Sequence, residues 1–273
     1  MAKKKIGLAL GGGAARGIAH IGVLEVLEKA GIPIDFVAGT SAGAVAGALY
    51  AAGVNPTAIK EYTLGLDGAH RRHMIDLRLP ISKNGFIRGE RITKEMKGLM
   101  GGDRTFAELQ KPFACVACDI VRGEEVVLNQ GSVCKAVHAS IAIPVIFNAV
   151  KRNGRYLIDG WLVNAVPVST VRTMGADFVI AVNVIPQLIH RRSKKDGHTN
   201  DKPPGFMTVV LNAVDIASSC CAEASLPGAD VIIAPQTADF TPTDFSKAEA
   251  LVAQGEVSAI EALPEIRRHM AQW

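Results

Sequence analysis

The chain predicts an α/β fold organised around a parallel sheet. Two observations carry this. Short apolar runs alternate with helical periodicities from the first residues, and two glycine clusters each lie where a strand hands over to a helix. A strand, a crossover helix and a second strand in that order put the two strands side by side and parallel.

Each element follows from local pattern. Lys5–Leu10 is an apolar run that enters Gly11-Gly12-Gly13-Ala14-Ala15-Arg16-Gly17, and Ile18–Lys29 then places Ile18, Ile21, Val23, Leu24 and Leu27 at helical spacing. Gly31 stops that helix. Ile34–Ala38 reads as the second strand, Gly39-Thr40-Ser41-Ala42-Gly43 as a sharp turn, and the alanine-rich stretch from Ala42 to Ala52 as a helix. Pro56 opens a further helix through Leu64. The polar stretch Asp67 to Gly89, with its His70-Arg71-Arg72-His73 cluster, is expected to run over the surface.

Gly89–Met100 is helical, a turn lies near Phe106–Leu109, and Phe113–Ile120 forms a hairpin with Glu125–Asn129 through Val121-Arg122-Gly123-Glu124. Lys135–Ile141 is a helix ending before Pro144. Tyr156–Ile158 is a brief strand that delivers Asp159-Gly160. Ala176–Val184 is strongly apolar and reads as a buried strand, whereas 185–205 is rich in charge and proline and is expected to be mobile. Met207–Ala224, Asp230–Ala234 and Lys247–Met270 follow as helix, strand and helix. A single domain over 1–273 is expected, because no repeat and no linker divides the chain.

Composition narrows the class. The 273 residues are 48% hydrophobic and 21% charged, the balance of a folded globular protein. A formal charge of +4 with scattered lysines and arginines gives no basis for nucleic acid as a partner. The apolar stretch Ile6–Leu10 is too short for a signal-peptide core, so a cytoplasmic location is expected, with peripheral membrane contact allowed. The charge-free window between Asp35 and Lys60 is long enough to span a bilayer, but glycine, alanine, serine and threonine fill it, and it reads as strand, turn and helix. The five cysteines are expected to be reduced. Cys115 and Cys118 fall on opposite faces of a strand, and Cys220-Cys221 has no histidine at ligand spacing, so no metal site is expected.

The turn around Ser41 has the G-x-S-x-G spelling of a nucleophile elbow, in which Gly39 and Gly43 allow a serine to stand at the tip of a strained strand-to-helix bend. The first glycine cluster is open to three readings. A dinucleotide site would use Gly11, Gly13 and Gly17 with Asp35 on a ribose, although the last interval is one residue too long. A P-loop fails, since Arg16-Gly17-Ile18 stands where Gly-Lys-Ser is needed. An oxyanion hole would use the loop amides on an intermediate formed at Ser41, and a packing role remains alongside. A base for Ser41 is either a histidine following an aspartate, which limits the choice to His190, His198 and His269, or Asp159 itself at a strand end.

Gly11–Gly17, His20-Ile21-Gly22-Val23-Leu24, Gly39–Gly43, the stretch from Ala139 to Phe147 and Asp159-Gly160 occur together, in this order. In this combination the chain resembles the patatin-like phospholipase family over roughly residues 5 to 185, with Asp244-Phe245 and Gly255 as later points of similarity. The resemblance implies a three-layer α/β/α fold with a central, mostly parallel sheet, and hydrolysis of acyl esters of phospholipids or lysophospholipids without metal or cofactor. It implies Ser41 as nucleophile, Asp159 as its base, and Gly12, Gly13 and Ala14 as the oxyanion hole, with Arg16 orienting that loop or screening the charge. Ala14 and Trp161 depart from the family pattern, where glycine and a small residue are usual; Trp161 is expected to narrow or wall the acyl pocket. Ile141, Ile143, Val145, Ile146 and Phe147 are candidates for that pocket. A small-ester carboxylesterase or thioesterase using the same pair, and a lipid- or nucleotide-binding regulator without turnover, are the other readings; headgroup, acyl length and oligomeric state stay open.

Overall fold

The computed structural model describes residues 4–66, 90–144, 147–187 and 205–273. The expected excursion at 67–89, most of the polar segment at 185–205, and Val145 and Ile146 lie outside the described residues. Eight strands form one sheet: β1 (Ile6–Leu10), β2 (Phe36–Thr40), β3 (Phe113–Asp119), β4 (Glu124–Leu128), β5 (Val150–Arg152), β6 (Arg155–Asp159), β7 (Phe178–Val182) and β8 (Val231–Ile233). β3, β2, β1, β7 and β8 run parallel in that order, while β4, β5 and β6 add antiparallel pairs beside β3.

The sheet separates two cores, and the alternation of side chains along each strand shows how. Ile6, Leu8 and Leu10 of β1 and Phe178, Ile180 and Val182 of β7 face one side. Ala9 and Ala38, with Val179 and Ala181, face the other. The bulky side carries the helices α1 (Ala19–Lys29), α2 (Ala42–Ala51), α3 (Pro56–Gly65), α4 (Glu90–Met100), α5 (Val133–Ser140) and α8 (Ala248–Met270). The side lined by smaller residues carries α6 (Val168–Thr173) and α7 (Phe206–Ser225). This is the three-layer α/β/α arrangement with a mostly parallel sheet.

Differences from the sequence expectation are local. β2 runs two residues further than Ile34–Ala38, because its pairing with β1 begins only at Phe36 opposite Gly7 and continues to Gly39 opposite Leu10. The short elements β5 and α6 carry too few residues to show a period, and their existence depends on the neighbours they pair with. The window between Asp35 and Lys60 resolves into β2, α2 and α3, and no helix among the described residues is long and apolar enough to cross a membrane.

The last helix is held against the first by reciprocal close approach. A Cβ on Gly22 would lie 2.2 Å from Val252 O, and one on Gly255 would lie 2.0 Å from Ala19 O. Backbone therefore meets backbone, and neither position accepts a methyl group. Beside this contact Glu25 accepts from Lys29, Lys60 and Thr57; burial raises its pKa, but those bonds prevail and hold it at about 2. Lys60 also reaches Glu256, so α1, α3 and α8 share one charged cluster.

Alanine normally stabilises an exposed helix by about 1 kcal/mol relative to glycine. Here Gly22→Ala and Gly255→Ala should each destabilise by roughly 1–3 kcal/mol, the cost of overpacking, and chemical denaturation will show whether the sign is reversed as expected.

Candidate active site

β2 ends at Thr40, α2 begins at Ala42, and Ser41 between them has φ 54° and ψ −121°. A non-glycine residue there is strained, and such strain persists only where the surroundings impose it. They do so by crowding. A Cβ on Gly39 would lie 2.4 Å from Gly43 O, and one on Gly43 would lie 2.1 Å from Leu10 O. The two glycines of the motif are thus required by the tightness of the turn. The Ser41 N–H donates to Ser140 Oγ at 3.0 Å, and the Ser140 hydroxyl donates to Val116 O at 2.6 Å. Ser140 lies in the Ala139–Phe147 stretch, but nothing in the sequence marks it as the brace of the elbow.

The register of β3 brings the second group to the serine. Along one edge β3 pairs with β4 throughout, Cys115 opposite Leu128 to Asp119 opposite Glu124. The other edge is shared. Val116 pairs with Thr40 at the end of β2, and the next residue, Ala117, pairs with Asp159 at the end of β6. Two strands running in opposite directions therefore end against adjacent residues of a third, and Ser41 meets Asp159.

Ser41 Oγ donates to Asp159 Oδ2 at 2.5 Å, while Trp161 N donates to Oδ1 at 3.1 Å. Asp159 is fully buried. Burial pushes its pKa up to about 7, against the opposing bonds from Ser41, Trp161 N and Gly160 N. A carboxyl group that changes protonation near neutrality, within bonding distance of a hydroxyl, is equipped to exchange a proton with it. Gly160 is fixed by space, because a Cβ there would lie 2.4 Å from Val116 O.

No described histidine bonds to this pair. His20 is buried with Nε2 on Gly11 O at 2.7 Å, and His269 packs at a tilt against Phe178, which opens β7 at the sheet end remote from Ser41. His190 and His198 lie outside the described residues.

The glycine loop leaves β1 beside the elbow, and a Cβ on Gly12 would sit 3.4 Å from Ser41 Cβ. One expectation is corrected here: the Gly12 N–H donates to Ala165 O at 2.9 Å, so it is engaged and does not point at the site. Among the described residues the N–H groups of Gly13 and Ala14 make no hydrogen bond. Ala14 has φ 51°, a conformation in which glycine would be unstrained. Arg16 is 4% exposed; its Nε donates to Phe240 O at 2.8 Å and its Nη1 to Asp215 Oδ1 at 3.1 Å. It ties the loop to the C-terminal part of the chain, which fits the orienting role. Ala42, the first residue of α2, has an N–H with no intrahelical acceptor.

From Ser41 an apolar cleft extends along the bulky side of the sheet. Its walls include Val45, Ala46 and Leu49 of α2, Ile59 and Tyr62 of α3, and Met96 and Leu99 of α4. Ile141, Ile143 and Phe147 line it as expected, and so does Phe245. Trp161 does not. Its side chain is buried in the opposite core, with α6 and α7, so the expectation that it walls the acyl pocket is corrected. The strand direction decides this: β6 delivers Asp159 to one face of the elbow, and the turn after it throws residue 161 to the other.

A family model described as patatin-like phospholipase matches residues 8–172, and the chain belongs to that family. An uncharacterized NTE family protein of Mycobacterium tuberculosis H37Rv is 30% identical over 291 residues, covering 98% of this chain and 48% of that protein. The lysophospholipase nte1 of Emericella nidulans is 33% identical over 185 residues, 66% of this chain and 12% of that protein. The chain spans about half the length of the mycobacterial relatives it matches. Among solved structures, VipD from Legionella pneumophila shares the fold with a TM-score of 0.52 at 17% identity, over 97% of this chain and 67% of that one.

The raised pKa of Asp159 has a thermodynamic sign. Its folded value, about 7, lies above the ordinary 3.8, so the native state binds more protons between these values and stability falls as pH rises through them. Asp159→Asn removes this titration. Its melting temperature should exceed that of the wild type by several degrees at about pH 8, with the difference shrinking toward about pH 5; a calorimetric series over that range reads the trend.

Proposed function

We propose that the chain is a lipid acyl hydrolase that cleaves carboxylic esters of phospholipids or lysophospholipids through an acyl-enzyme on Ser41. The observation that carries this reading is the 2.5 Å bond from Ser41 Oγ to the buried Asp159 carboxylate at the head of an apolar cleft. Family membership and the named lysophospholipase relatives support it.

Asp159 takes the Ser41 proton as the oxygen attacks the ester carbonyl. The tetrahedral oxyanion receives hydrogen bonds from the N–H groups of Gly13 and Ala14, and from that of Ala42 at the positive end of α2. These donors are part of a fixed backbone, so they need no reorganisation as charge develops. Protonated Asp159 returns its proton to the departing lysolipid or glycerol oxygen. In the second half Asp159 deprotonates water, which attacks the acyl-enzyme, and the fatty acid leaves as Ser41 recovers its proton. The acyl chain lies against Val45, Leu49, Ile59 and Met96, where apolar surface leaves water on binding. The apolar lining, drawn from three helices and the stretch after Ser140, favours a long acyl chain over a small ester.

A fluorophosphonate should label the wild type at Ser41 and leave Ser41→Ala unlabelled. In a screen of phospholipids, lysophospholipids and short esters, long-chain substrates should give the larger kcat/KM. Turnover confined to short esters would favour the carboxylesterase or thioesterase reading; an unlabelled, inactive wild type would favour the regulator. Because Asp159 must be ionised to act, kcat/KM should fall tenfold for each pH unit below about 7 and level off above it.

A further inference from the structure

His20 is the one described histidine enclosed completely by the fold, and the reaction above has no use for its proton. It stands in the first turn of α1 with no exposed surface. Nε2 lies 2.7 Å from Gly11 O. A carbonyl oxygen can only accept, so Nε2 carries the hydrogen and Nδ1 is the bare nitrogen. Among the described residues no group hydrogen-bonds to that buried Nδ1. Leaving a polar atom so is unfavourable, and an aliphatic residue in the same space would avoid it. Packing alone gives no reason for a histidine here.

The bond it does make falls on a particular peptide unit. The Gly11–Gly12 peptide has its oxygen on His20 and its N–H on Ala165 O at 2.9 Å. A planar peptide held at both ends has little freedom to rotate. The next N–H groups along the chain are those of Gly13 and Ala14, which remain without a hydrogen bond. Three successive glycines provide no side chain to order the loop and favour many backbone conformations. Among the described residues, His20 provides the single side-chain hydrogen bond to Gly11, Gly12, Gly13 or Ala14.

We propose that His20 is a positioning residue for the oxyanion loop: its Nε2–H, by fixing the Gly11 carbonyl, aims the amides of Gly13 and Ala14 at the oxygen of the intermediate. The proposal rests on the oxyanion reading given above. Burial lowers the imidazole pKa to about 4, so the ring is neutral through the working range and its donor is constant.

The test compares His20→Gln, whose amide nitrogen reaches the place of Nε2, with His20→Leu, which fills the space without a donor, and His20→Asn, whose amide reaches only the place of Nδ1. The readouts are kcat and KM on a long-chain lysophospholipid, and inhibition by a trifluoromethyl ketone, which forms a tetrahedral oxyanion on Ser41. His20→Leu and His20→Asn should lower kcat by about tenfold or more with KM within about twofold, and weaken the ketone by the same factor as kcat/KM. His20→Gln should restore most of both. If Leu does not yield folded protein, Asn carries the comparison. Wild-type kcat and ketone affinity in Leu or Asn, or equal loss in Gln, would overturn the proposal while the hydrolase reading stands. A wild type that neither turns over nor binds the ketone would overturn both.

Discussion

The candidate reaction centre depends on one edge of β3. β2 and β6 approach it from opposite directions and end against Val116 and Ala117, neighbours in the chain. The spacing between Ser41 and Asp159 is therefore set by the rise of a strand, one of the least variable lengths in a protein. Everything else at the site braces that meeting: Ser140 bridges the elbow to Val116, Gly160 lies against the same carbonyl, and Asp159 N–H is bonded to Ala142 O. A pair built on loops would need many contacts to hold a 2.5 Å bond. This one inherits it from sheet register.

The same meeting has an energetic consequence. A carboxyl with no exposed surface is destabilised in its charged form, and three hydrogen bonds only partly offset that. Ser41 adds backbone strain at the adjacent position. The fold thus keeps two unfavourable features within one bond of each other, and the tightly packed small residues around them prevent relaxation. Backbone strain and charge desolvation are thus concentrated at one point of the fold.

Most of the fold could be read from the chain, because alternating apolar runs and helical periods fix element type when segments are long. β5, three residues long, and α6, six, were too brief to carry a period. In the candidate site, Ser41 between Gly39 and Gly43 is a local pattern, whereas Asp159 is one of several bases the residues allow and is singled out by the family resemblance. The destination of each N–H group is not local. Gly12 is spent on Ala165, and Arg16 reaches Phe240, more than 200 positions away, so no motif can reveal either. Trp161 shows the same limit, because the face on which a residue falls after a turn depends on the turn.

The contact between α1 and α8 extends this point. The family model matches residues 8–172, yet the carbonyl that Gly255 presses upon belongs to Ala19, the residue before His20. Pro242 accepts from Ala15 N, and Phe240 from Arg16. The loop beside Ser41 is accordingly backed by chain that lies beyond the residues the family model matches. In such an architecture a change in the C-terminal third would alter how firmly the glycine loop is held while leaving Ser41 and Asp159 in place.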